Sequence, residues 1–216
     1  MIIETIREPQ GFDQAMIAMR NPMNSWGKSD SEWDFEEMCE FSTGKYIIGE
    51  KDSELSLKLQ KAGPEHCKHL RMIYVWADIT APRYWWQEFD TYRHGVEKVS
   101  CSTMHKITSR PLEEEDFEHD GLDDDFLVWV IKKINNSIMS YNLCTDVDHK
   151  REIWRGIIQA LPQSYLQKRT VCMSYAALRN IIRQREGHKL VEWEHFIRWV
   201  KSLPESWMIT DDLSKV

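Results

Sequence analysis

At 216 residues, with 42% hydrophobic and 29% charged side chains, the chain has the composition of an ordinary globular protein able to bury a sizeable core. Its 28 Lys and Arg against 35 Asp and Glu leave a net charge of -7. That balance excludes a general nucleic-acid or anionic-membrane binder, which needs a basic surface, but leaves room for one local basic pocket. No run of about 18 apolar residues occurs, and the opening MIIETIREPQ carries charge where a signal peptide needs an apolar stretch, so no membrane association is expected and the location expected is cytoplasmic. The five cysteines, Cys39, Cys67, Cys101, Cys144 and Cys172, are scattered without a CxxC pair, which predicts reduced thiols and no metal site. Ten Trp allow two readings, aromatic-lined clefts or interfaces on one side and a Trp-rich core on the other.

Residues 1–6 alternate and are β-branched, predicting a strand. Pro9 and Gly11 punctuate it, and Phe12, Ala15, Met16 and Met19 then recur at helical spacing. The turn-rich segment 21–34 predicts a surface loop leading to a helix around 34–42. Residues 52–62 carry Leu55, Leu57 and Leu59 between an Asp/Ser start and Gly63, a short capped helix. The apolar stretch 70–79 predicts a buried strand, and Pro82 opens an aromatic helix over 81–92. The acidic run 112–125 reads as a solvated loop, with Asp123, Asp124 and Asp125 at the positive end of the next helix. Helices are expected at 126–142, 147–160, 174–186 and 190–202, with Leu161-Pro162 and Gly187 as breaks. Strands in the first half and helices in the second make the fold class α+β, in a single domain over 1–216.

Two segments carry a resemblance. The first has Pro64, Glu65 and His66 ahead of the predicted strand, then Arg83 and Trp85 opening the aromatic helix. The second has the Leu161-Pro162 break, then Leu178, Asn180 and Arg185 on one helix, then Trp193 and Glu194. In order and spacing these resemble the flavin-dependent thymidylate synthases. The resemblance implies a small antiparallel sheet flanked by helices with a helical C-terminal half. It also implies a homotetramer with shared active sites and FAD as cofactor. Where activity is retained, it implies hydride from NADPH and transfer of methylene from methylenetetrahydrofolate to deoxyuridylate (dUMP). Divergent copies of the family are frequent in phage genomes, so a phage-type role in nucleotide metabolism is the matching expectation. The family's Arg-His-Arg signature is absent: Gln87, Glu88 and Phe89 stand there, followed by Asp90, Thr91 and Tyr92. Ser174 and Ala176 replace an Asn and an Arg, and Ile158 replaces an Arg. Glu88 adds negative charge where a phosphate would sit. Three readings follow: a flavin-dependent one-carbon transferase, a catalytically inactive nucleotide-binding or sequestering protein, and an oligomeric structural protein.

The resemblance makes Glu65, His66, Arg83 and Asn180 expected cofactor contacts, and Tyr84 joins them as an aromatic able to stack on a ring. The resemblance also makes Arg185 an expected substrate contact and the candidate catalytic residue, while Arg93, His94, Ser100 and Ser102 are expected substrate contacts on their own chemistry. On chemistry alone, Arg83, Arg93 and His94 bracket the aromatic helix and, with Lys98 and the hydroxyls of 100–103, would make an anion site. The alternative pairs Arg83 with Asp78 or Glu88. Tyr84, Trp85, Trp86, Phe89 and Tyr92 cover more than one helical face, so some are expected to point away from the core as a stacking platform or interface. Asn180 would offer its amide to a ring edge and Arg185 its fork to a phosphate, against an alternative in which Arg179, Arg183 and Arg185 form a solvated basic face. Glu65 and His66 would orient a ring or make a structural hydrogen bond. Cys101 and His105, one helical turn apart, allow a Cys/His nucleophile or a small buried cysteine.

Overall fold

The β-branched start forms β1 (Ile2–Gln10), and Gly11, in the left-handed region at φ 98, leads into α1 (Phe12–Met19). The computed structural model describes residues 1–35 and 44–210. Strand β2 (Glu32–Asp34) pairs antiparallel with β3 (Lys45–Ile47), Trp33 opposite Tyr46. The helix expected around 34–42 therefore begins where a strand ends, residue 35 is not helical, and 36–42 lie outside the described residues.

Helix α2 (Glu50–Ala62) ends at Gly63 as expected, but its buried face is Asp52, Ser53, Ser56 and Gln60 rather than the leucines. Hydrogen bonds make this tolerable. Asp52 is fully buried and accepts from Arg20 Nε at 2.6 Å, Ser29 Oγ at 2.5 Å and Ser31 Oγ at 2.6 Å. Asp30 accepts from the backbone N–H groups of Lys51 and Asp52 at the helix start.

Strand β4 (Tyr74–Pro82) alternates between buried and half-buried side chains and feeds α3 (Arg83–Phe89). The aromatic helix is thus shorter than its expected span and ends at Asp90. Strand β5 (Val96–Ser100) and the one-turn α4 (Thr103–Lys106) follow. Then α5 (Asp124–Leu143), with Asp123 as its side-chain cap, pairs with α6 (Val147–Ala160), capped by Asp146. Strand β6 (Leu166–Ser174) precedes α7 (Tyr175–Arg185), α8 (Val191–Lys201) and α9 (Trp207–Thr210). The main sheet runs β1-β4-β6-β5, and the fold is α+β with a small antiparallel sheet. Strands β5 and β6 were not expected: β6 reads Leu-Gln-Lys-Arg-Thr before any apolar alternation begins at Val171.

The chain sorts into two compact units, each assembled from three segments. The first comprises Met1–Ile2, Ile79–Thr91 and Val99–Thr170. Its interior holds Trp85, Trp86 and Phe89 of α3, and a cluster built on Leu127, Ile134 and Ile138 of α5 with Ile157 of α6. The second comprises Ile3–Asp78, Tyr92–Lys98 and Val171–Val216. Its interior includes Leu70, Ile73, Tyr175, Leu178, Ile181, Trp193 and Phe196. No helix among the described residues is long and apolar enough to cross a membrane.

Candidate functional site

The second unit contains a cleft of about 580 Å³ whose lining includes Arg71, Arg179, Arg183 and His94, and no Asp or Glu. Three elements build it. A 3-10 turn over Lys68–Arg71 carries Leu70 and Arg71 to one wall, and Tyr74 enters from the start of β4. The segment before β5 brings His94 and Gly95. Gly95 sits at φ 69 with its carbonyl accepting from Ser174 N at 2.8 Å, and a Cβ there would fall 2.4 Å from Ser174 Oγ. Helix α7 supplies the third wall. Ser174 caps it by accepting from Ala177 N at 3.2 Å, and Ala176, Asn180 and Arg183 follow at i, i+4 and i+7 on one face. Tyr175, Leu178, Ile181 and Ile182 of the same helix are buried.

Arg179 is 5% exposed, so it does not belong to a solvated basic face. Its guanidinium points to Cys67 Sγ at 3.7 Å, on the cleft wall. Beside it lies a buried polar cluster: His69 Nε2 meets Ser56 Oγ at 2.8 Å, and Gln60 Nε2 donates to the same oxygen at 3.1 Å. Burial first, and the charge of Arg179 second, push the His69 pKa down to about 4, so its imidazole is neutral near pH 7.

Of the residues expected from sequence, His94 and Asn180 come together in this cleft. Arg185 does not line it. Its Nε donates to Tyr92 Oη at 2.8 Å, and its guanidinium stacks 4.7 Å from the Trp193 ring centroid. Glu65 and His66 are exposed in the turn after Gly63, and Arg93 is exposed beyond α3. In the first unit, Arg83 is half-buried and donates to the Leu161 carbonyl at 3.3 Å rather than to Asp78 or Glu88. Tyr84 is half-buried, and its backbone N–H donates to the Gln163 carbonyl. Trp85, Trp86 and Phe89 pack on one another in the core, at 0%, 1% and 0% exposure, so they offer no stacking platform or interface. Tyr92, in the second unit, is buried against Trp193.

Ser100 is exposed at the end of β5, and Ser102 Oγ accepts from His105 N at 3.2 Å as the cap of α4. Cys101 and Ser102 line a smaller hollow of about 150 Å³ with Lys106, Arg110 and Lys168. Arg110 is already held by both oxygens of Asp116, at 2.7 and 2.5 Å. Cys101 is exposed, not buried as one sequence reading had it. Among the described residues, no group of three or more His, Cys, Asp or Glu is placed to hold a metal ion.

The residues missed from sequence are Arg71, Tyr74, Arg179 and Arg183. Arg71 and Tyr74 fall within a stretch read as one apolar strand. Arg179 and Arg183 had entered only with Arg185, as the alternative of a solvated basic face.

The sheet order, with α3 and α7 each starting directly from a strand end, defines an α+β fold of one particular type. It is the fold of the flavin-dependent thymidylate synthases. A flavin-dependent thymidylate synthase ThyX from Helicobacter pylori, solved with FAD and dUMP, superposes with a TM-score of 0.71 at 18% identity, covering 98% of this chain and 99% of that one. A second structure of the Helicobacter pylori ThyX with FAD and dUMP gives 0.69 at 18% identity, covering 99% and 100%. No protein-family model matches the chain, and no curated protein gives a significant match.

Proposed function

We propose that the cleft of the second unit binds an anionic nucleotide, either a pyrimidine nucleotide or a flavin nucleotide, in a divergent member of the flavin-dependent thymidylate synthase family. The observation that carries this reading is the lining of Arg71, Arg179, Arg183 and His94 without a carboxylate, in a protein whose net charge is -7. Guanidinium forks match phosphate oxygens in geometry and charge, and three of them on the walls of one cleft are the groups that hold a phosphorylated ligand. The volume of about 580 Å³ lies within the usual range for small-ligand sites. Solved structures of the same fold holding FAD and dUMP support the ligand class.

The donor set suits FAD: Arg71, Arg179 and Arg183 for a diphosphate, and Tyr74 and Asn180 for a ring system. Bound there, a flavin would supply hydride transfer. With NADPH and methylenetetrahydrofolate that would extend to one-carbon transfer onto deoxyuridylate. The reading of a binding or sequestering protein has its own observation: α3 carries Gln87, Glu88 and a fully buried Phe89 where the family signature has two arginines, and its remaining Arg83 holds a backbone carbonyl. We favour binding as the primary function.

The test is calorimetric titration of the purified protein with dUMP and FAD, with pyrophosphate as competitor, preceded by a visible spectrum of the protein as isolated. Saturable binding of either nucleotide, displaced by pyrophosphate, is expected. No heat and no displacement with either would overturn the reading. Residues 1–216 acting as one domain, a homotetrameric assembly, a cytoplasmic location and a phage-type role in nucleotide metabolism are proposals from the same likeness. Light scattering checks the assembly, with a tetramer expected.

A further inference from the structure

Residues 113–125 of the first unit carry nine carboxylates and no Lys or Arg, a run that its sequence assigns to a solvated loop. The structure ties it down instead. Asn135 of α5 accepts from Leu112 N on Oδ1 at 2.7 Å and donates Nδ2 to the Leu112 carbonyl at 2.9 Å. Arg110 donates to both oxygens of Asp116, Phe117 is buried with its ring 5.8 Å from that of Tyr165, and Glu118 N donates to the Ser164 carbonyl at 2.8 Å. Asp123 then caps α5. Among the described residues no three carboxylates converge as metal ligands would, so the charge is spread along a surface.

Large apolar side chains stand in the solvent directly beyond it. Leu122 is 38% exposed, Val128 51%, Phe126 52% and Trp129 56%. The Phe126 and Trp129 rings stack with centroids 6.4 Å apart. Val128 and Ile131 line a groove of about 530 Å³ together with Glu113 and Glu114 of the acidic run and Lys132 of α5. None of these residues lines the cleft of the second unit.

We propose that this face of α5, with the acidic run beside it, is a docking surface for a basic amphipathic segment of another protein. The apolar side of that segment covers Phe126 and Trp129, and its Lys and Arg side chains meet the carboxylates. Charge selects the occupant. Nucleic acid and anionic membrane are repelled, and a second copy docking by the same face would set two acidic runs against each other, because a two-fold contact pairs each patch with itself. A cation already lies over the exposed indole, since Lys133 Nζ sits 5.7 Å from the Trp129 ring centroid. The run is fixed before any partner arrives, so docking orders little of this chain. The proposal does not depend on the nucleotide reading of the cleft.

The probe is a fluorescein-labelled peptide of about 18 residues with Leu and Arg in amphipathic helical order, compared by anisotropy with a scrambled peptide of the same composition. The ordered peptide is expected to bind about tenfold more tightly than the scrambled one, and several-fold more weakly when salt rises from about 50 to about 300 mM. Trp129→Ser and Phe126→Ser should each weaken it by about tenfold. The double variant Glu113→Gln with Glu114→Gln should weaken it less and flatten the salt dependence. All four positions are exposed, and thermal unfolding of each variant verifies the fold. Equal binding of ordered and scrambled peptides overturns the proposal, and so does an affinity unchanged in both ring variants. Light scattering in which Trp129→Ser dissolves an oligomer also overturns it, by giving the patch to a second copy.

Discussion

Helices α3 and α7 each begin where a strand of the main sheet ends, and each carries arginine, yet only α7 lines a cleft of ligand size. Helix α3 has three aromatic side chains at 1% exposure or less, and its Arg83 bonds a main-chain carbonyl. Helix α7 buries Tyr175, Leu178, Ile181 and Ile182 on one side and turns Ala176, Asn180 and Arg183 to the cleft on the other. The difference teaches that two helices entering the fold in the same way, each from a strand end, can divide into one that packs the core and one that lines a cleft. Bulky aromatics at successive positions of a seven-residue helix leave little surface that is not core, whereas 11 residues with a clean apolar stripe leave a whole face for ligand.

The largest expected effect tests the packing role of α3. Trp85→Ala removes a fully buried indole stacked 4.8 Å from Phe89, and should lower stability by about 3–5 kcal/mol in denaturant unfolding. A loss under about 1 kcal/mol would break the comparison by returning α3 to surface duty.

On α7, Arg179→Ala removes the buried guanidinium of the cleft and should weaken pyrophosphate binding by about ten- to a hundredfold, read by calorimetry. Retained affinity would place the anion elsewhere.

The neighbouring His69 gives a pH signature. Its folded pKa, about 4, lies below the unfolded 6.5, so the folded state binds fewer protons between those values. Its contribution is therefore fully present above about pH 6.5 and is lost as pH falls toward 4, with a slope of at most about 1.4 kcal/mol per pH unit. His69→Asn should flatten stability against pH across that window, and an unchanged slope would assign the dependence to other groups.

The smallest effect belongs to Arg83→Ala. Losing one hydrogen bond to the Leu161 carbonyl should cost about 1 kcal/mol of stability and change nucleotide affinity by less than about twofold. A loss of binding as large as that of Arg179→Ala would make the two helices equal partners in the site.

Much of the fold was legible in the sequence because its helices advertise themselves locally. Asp123, Asp146 and Ser174 act as side-chain caps at α5, α6 and α7, and the expected spans of these helices and of α8 differ from the observed ones by two residues or fewer. The order of Pro64, Arg83, Leu161-Pro162, Asn180 and Arg185 was enough to anticipate the fold of the flavin-dependent thymidylate synthases. Strand β6 was not legible, since its polar first half acquires a partner only through sheet pairing with distant segments. Nor was the polar buried face of α2, which depends on Arg20, Ser29 and Ser31 reaching Asp52 from a loop more than 20 residues away.

The site divides in the same way. The sequence by itself determined the spans of the helices α5 to α8 and that the family's arginine signature is absent. Only the tertiary structure decided that Arg71, His94, Arg179 and Arg183, from three separate segments, share one cleft, and that Arg185 and Arg83 are held elsewhere. Helix periodicity and capping are interactions over three or four residues and leave their mark in local sequence. A charge's environment is set by whatever the fold carries next to it, which no local pattern records.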